Sequence, residues 1–123
     1  MLDFRFTNLM YNYDCRVDVL YCKINLPYSY DYTIPVTPIF NIDLAKNVDE
    51  VVAFELLDAS RELKVPKEEL QSKQDIKITV YVDKDVIKVV FNIKTVHGYM
   101  GGFSVKALNE NNARPGAYVY CTL

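Results

Sequence analysis

The sequence predicts an α+β fold: a mainly antiparallel sheet of about six to eight strands, with one short or broken helix near residues 58–73. Three observations carry this expectation. Short segments of alternating apolar and polar residues recur along the chain, most cleanly at 76–82 and 87–93, and a period of two is what a half-buried strand requires. Ten Tyr and six Phe accompany many Val and Ile, side chains that suit a pleated surface. Helix punctuation occurs in one place only, around 58–73. The 123 residues are read as one domain, 1–123, long enough to bury roughly two thirds of the unfolded surface.

Phe4, Phe6, Leu9, Met10, Tyr11 and Tyr13 mark a first strand over 3–13. Asp14, Arg16 and Asp18 supply turn chemistry, and residues 17–24 return as a second strand with Leu20, Cys22 and Ile24 on its core face. Residues 25–38 hold Pro27, Pro35 and Pro38 among Tyr28, Tyr30 and Tyr32. Proline cannot donate to a ladder, so this segment reads as a loop or irregular edge. Residues 39–44 alternate as a third strand. The apolar run Val51–Leu57 is a fourth, implying cover on both faces or a central place in the sheet.

Asp58 or Ser60 is placed to cap the helix that follows. Pro66 then restarts it, with Glu68 and Glu69 in a first turn that favours acids. After the 76–93 hairpin, turned at Asp83–Asp85, His97–Gly102 reads as a glycine-rich loop. Residues 103–108 and 116–122 read as two final strands.

Tyr13, Asp14, Asp18, Leu20 and Tyr21, followed by Glu55, Leu56, Leu57, Ala59 and Ser60, resemble the paired motifs of the domain of unknown function 2283 family of small prokaryotic proteins. Those proteins carry a tyrosine–aspartate, a short gap and Asp-x-Leu-Tyr on one strand, then an apolar strand ending Glu-Ile-Leu-x-Ala-Ser. The resemblance spans about residues 10–63. It departs from the pattern at Phe54, where a small glycine is usual, and in the long 25–38 connection. The family has no settled activity. Some members are similar to antidote partners of small toxin-like proteins, so the resemblance implies at most a protein-binding role.

Lys plus Arg number 14 against 16 Asp plus Glu, a balance that argues against nucleic acid as a partner. No window approaches the roughly 20 apolar residues of a membrane span. The first residues do not read as a signal peptide, so a cytoplasmic protein with no membrane partner is expected. The three cysteines are odd in number and lack CxxC spacing, which fits reduced thiols. Cys22 and Cys121 read as small buried hydrophobes, and Cys15 as the exposed one.

No cofactor motif is present and no catalytic residue is expected. Asp14, Asp18, Glu55 and Asp58 are the candidate metal ligands if the first hairpin lies beside the fourth strand; their simpler roles are a turn, a helix cap and a local ion pair. His97 with Gly98, Gly101 and Gly102 forms a candidate anion-binding loop, its simpler role being a hairpin turn. Tyr28, Tyr30 and Tyr32 are candidate interface residues, since tyrosine offers apolar area with a polar tip. The function expected is a protein–protein interaction or regulatory module, working as a homodimer or with a small partner protein. The alternative is a divalent-metal or small-ligand binding protein using the carboxylates.

Overall fold

In the computed structural model, residues 4–25, 32–45, 50–72, 74–110 and 112–122 are described. The strands are β1 (Phe4–Asp14), β2 (Val19–Ile24), β3 (Tyr32–Thr37), β4 (Phe40–Ala45), β5 (Glu50–Leu56), β6 (Gln74–Val82), β7 (Val86–Thr95), β8 (Met100–Leu108) and β9 (Gly116–Cys121), with helices α1 (Ala59–Leu63) and α2 (Lys67–Gln71) between β5 and β6. They form one nine-stranded sheet in the order β3-β4-β5-β2-β1-β9-β6-β7-β8.

The strand count exceeds the expected six to eight, and the sheet, mainly antiparallel as expected, contains one parallel pairing. The additional strand is β3, inside the proline-rich segment. It is an edge strand, where a missing N–H is tolerated, and its register against β4 shifts between Pro35 and Thr37. The sheet is mixed because β1 and β9, from the two ends of the chain, pair in parallel from Phe4↔Ala117 to Asn8↔Cys121. Alternation within each strand assigns its faces, not a neighbour a hundred residues away.

The two edge strands, β3 and β8, lie against one another, so the sheet is nearly closed. Aromatic rings knit its interior. Phe40 of β4 meets Phe103 of β8 edge-on at 5.1 Å, Phe103 stacks on Phe91 at 5.2 Å, and Phe54 of β5 meets Tyr120 of β9 edge-on at 5.1 Å. Each pair adds about 0.5–1.5 kcal/mol beyond burial of its area. β5 sits between β4 and β2, and Val51, Val52, Ala53, Phe54 and Leu56 are all buried, as its apolar run requires.

The expected broken helix is two short ones. Lys64, in the left-handed conformation, ends α1, and Pro66 precedes α2. Leu63, Val65 and Leu70 join the sheet's core, so the helical segment is anchored by its apolar side. Contact with β8 is so close that a Cβ on Gly101 would overlap the Leu63 carbonyl oxygen. Gly101 is therefore a close-approach glycine.

Candidate functional site

Two carboxylates organise the polar side chains, and each ties a helix to the turn of a hairpin. The first is Asp18. Leu20 of β2 pairs with Leu56 of β5 in antiparallel register, which carries the residue two before Leu20 to the residues just after Leu56. Asp18 adopts a left-handed φ of 56°, a conformation that aspartate tolerates. Its Oδ1 accepts hydrogen bonds from the Tyr13 hydroxyl at 2.6 Å and the Ser60 backbone N–H at 3.0 Å. Its Oδ2 accepts from the Ser60 hydroxyl at 2.6 Å, and its carbonyl from the Ala59 N–H at 3.0 Å.

Asp18 thus satisfies the free N–H groups at the start of α1, the task expected of Asp58 or Ser60. Asp58 occupies the N-cap position with φ of 50° and makes no side-chain cap bond. Partial burial pushes the Asp18 pKa up, but the bonds from Ser60 and Tyr13 outweigh it and hold the group below the usual carboxylate range. Burial and the adjacent Asp18 carboxylate push the Tyr13 phenol well above its ordinary value.

The first hairpin does lie beside the fourth apolar segment, yet the expected metal ligands go to separate partners. The Asp14 carboxylate accepts from the Arg16 guanidinium at 3.0 Å and from the Arg16 N–H, which lowers its pKa. Glu55 lies on the opposite face of β5 from Phe54 and Leu56, in register with Asn41 and Tyr21 on the flanking strands, and accepts from Asn41 Nδ2 at 3.3 Å. Asp58 is exposed. Among the described residues no group of three or more His, Cys, Asp or Glu is placed to hold a metal ion. Cys22 is fully buried and its thiol is pushed up to about 12; Cys15 and Cys121 are half-buried, and all three are free thiols.

The second organising carboxylate is Glu69 of α2, which sequence reasoning missed. Its Oε1 accepts from the Thr95 hydroxyl at 2.8 Å, and its Oε2 lies 2.6 Å from His97 Nδ1. The His97 bond, then the Thr95 bond, hold its pKa below the ordinary value. An ionised carboxylate only accepts, so Nδ1 carries the proton. Thr95 Oγ1 in turn accepts from the Tyr99 N–H at 3.1 Å. In the sequence, Glu68 and Glu69 look equivalent as acids of a first helical turn. What distinguishes Glu69 is its place beside Leu70 on the buried side of α2.

The expected anion-binding loop takes a different form. Gly98, with φ of 87°, donates its N–H to the Thr95 carbonyl at 3.0 Å, closing the β7–β8 turn. Gly101 and Gly102 belong to β8, paired with Ile93 and Asn92. With Glu62, Leu63, Lys64, Asn92 and Met100 they line an open depression of about 470 Å³. The turn instead displays apolar side chains: Val96 is 63% exposed, Tyr99 46% and Met100 76%. Val96 borders a shallow depression of about 220 Å³ with Gln74, Asp75, Lys94 and Thr95. Tyr28, Tyr30 and the side chain of Tyr32 lie outside the described residues.

Among the described residues no helix is long and apolar enough to cross a membrane. Comparisons with protein-family models, with curated proteins and with solved structures found no match to this chain.

Proposed function

We propose that the protein is a protein–protein interaction module whose contact surface includes the β7–β8 turn. The observation that carries this reading is the exposure of Val96, Tyr99 and Met100 within five consecutive residues, on a turn held by Glu69 through Thr95 and His97. Apolar and aromatic side chains of this kind are favoured at the centres of interfaces. Holding them in place beforehand lowers the ordering cost that association must overcome. The partner is a second copy of the chain or a small protein with an apolar pocket. The family resemblance over residues 10–63 points to the same class of role.

The test compares the wild-type chain with a Val96→Asp/Met100→Lys variant, by light scattering across a concentration series and by cross-linking in cells followed by identification of the captured protein. A complex in the wild type that is lost in the variant, with an unchanged melting temperature, supports the proposal. A wild type that stays monomeric and captures nothing ends it. So does a complex that the variant retains in full. Tyr28→Ala and Tyr30→Ala, in the same assays, examine the proline-rich segment; loss of the complex there alone would move the surface away from the turn.

A further inference from the structure

The whole-chain charge balance averages over faces that the topology separates. Along β6, β7 and β8 the register aligns the outward positions into rows, exposed except at Thr79, which is buried, and at Val90, which is half-buried. Tyr81, Lys88 and Lys106 form one row, Thr79, Val90 and Ser104 the next, and Lys77, Asn92 and Gly102 a third. Asp75, Lys94 and Met100 follow as a fourth. Asp75, opposite Lys94, is the only acid in these rows, and none of the four lysines makes a salt bridge among the described residues. Beyond the first row the turn holds Asp83, Lys84 and Asp85, with the Asp83 carboxylate engaged by the N–H groups of Asp85 and Val86.

Lys88 and Lys106 stand directly opposite one another. Like charges in that relation work against strand pairing, so the fold gains nothing from them and a bound anion would relieve them. Tyr81, 41% exposed, lies in register beside Lys88. The row of Lys77 is four residues along the strand from that of Tyr81, a span of about 13 Å, and is bordered by a depression of about 310 Å³ that Lys77, Asn92, Lys94 and Met100 help to line. The two cationic ends are thus separated by an uncharged row in which Thr79 is buried, Val90 half-buried and Ser104 exposed.

We infer that the outer face of β6–β7–β8 binds single-stranded nucleic acid, with Lys88 and Lys106 at one end and Lys77 and Lys94 at the other taking backbone phosphates while a base stacks on Tyr81. Charge complementarity selects a polyanion. The exposed ring beside Lys88 favours a nucleic acid over an acidic polypeptide, because stacking on an aromatic side chain accepts any base. Met100, at the edge of this surface, also belongs to the contact proposed at the β7–β8 turn, but Tyr81 and the four lysines lie on the strands outside it.

The experiment is fluorescence anisotropy of a labelled single-stranded oligonucleotide of about 12 nucleotides, within the span such surfaces cover, at several salt concentrations. Four phosphate contacts on a single strand give a log–log salt slope of about −3, and Lys88→Ala/Lys106→Ala should make it shallower by about 1.4. Tyr81→Ala should weaken binding about tenfold and Tyr81→Phe far less. These side chains are exposed, so the variants should melt as the wild type does, and the wild-type salt slope is informative by itself. No anisotropy change with the wild type overturns the inference, as does binding that the lysine variant leaves intact. Equal competition by polyglutamate, with no effect of Tyr81→Ala, overturns it in favour of an acidic protein.

Discussion

Asp18 and Glu69 do similar work at different places, and the contrast separates what holds the fold from what shapes its surface. Each is a carboxylate in which both oxygens accept hydrogen bonds, and each joins a five-residue helix to the turn of a hairpin. Asp18 joins parts of the sheet that are remote in sequence: β1 through Tyr13, the β1–β2 turn, and α1 through Ser60. Its loss leaves helix N–H groups and a buried-side hydroxyl unpartnered at once. Glu69 fixes the β7–β8 turn, whose strands already pair continuously from Val86↔Leu108 to Lys94↔Met100. Losing Glu69 frees the turn and leaves the hairpin. One carboxylate is therefore a fastening of the core, and the other a support for an exposed surface.

That contrast orders the expected effects. Asp18→Ala should cost the most, about 3 kcal/mol in urea unfolding, since it removes bonds to a charged acceptor together with a helix cap. Thr95→Val should cost about 1 kcal/mol, with little change elsewhere, because the bonds it removes serve only Glu69 and Tyr99. A Thr95→Val effect as large as that of Asp18→Ala would break the distinction.

Acid sensitivity sharpens it. Both carboxylates have folded pKa values below the ordinary one, so in acid the unfolded state binds more protons. Their contributions are complete above the unfolded carboxylate pKa of about 4 and are lost as pH falls through the lower folded values. The wild type should lose stability on acidification below about pH 5, and Asp18→Asn, though weaker at neutral pH, should lose less over the same range. Glu69→Gln should flatten the same limb to a smaller degree. Measuring unfolding midpoints from neutral pH to about 3 checks both the sign and the ranking. The smallest effect belongs to Glu55→Gln, within about 0.5 kcal/mol, because Glu55 is half-buried, faces away from the core and, among the described residues, accepts one 3.3 Å bond, from Asn41.

The two regions also differed in how far the sequence could be read. The β6–β7 hairpin was legible because its alternation is strict and its partner is adjacent in the chain. The central place of β5 was legible too, since Val51–Leu56 has almost no polar residue to present to water. Asp18 and Ser60 stood out as residues, but the bond between them was hidden: it depends on β2 pairing with β5, a contact across 42 positions. The parallel β1–β9 pairing was hidden for the same reason, and with it the mixed character of the sheet. Glu69 was illegible on other grounds. Its neighbour Glu68 has identical chemistry, and only the rotation of α2 against the core decides which of the two is buried. Gly101 and Gly102 misled because glycine marks turns more often than close approaches; here the approach of Leu63 to β8 is what requires Gly101.

Native-state hydrogen exchange on Asp18→Ala and Glu69→Ala compares the two carboxylates most directly. Loss of Asp18 should accelerate exchange in α1 and lower protection throughout the sheet. Loss of Glu69 should accelerate the Gly98 and Tyr99 amides, whose acceptors both lie on Thr95, while β6 and β7 keep wild-type protection. Uniform loss of protection in both variants, or Gly98 and Tyr99 amides unchanged without Glu69, would contradict the division between a carboxylate that holds the core and one that holds a contact surface.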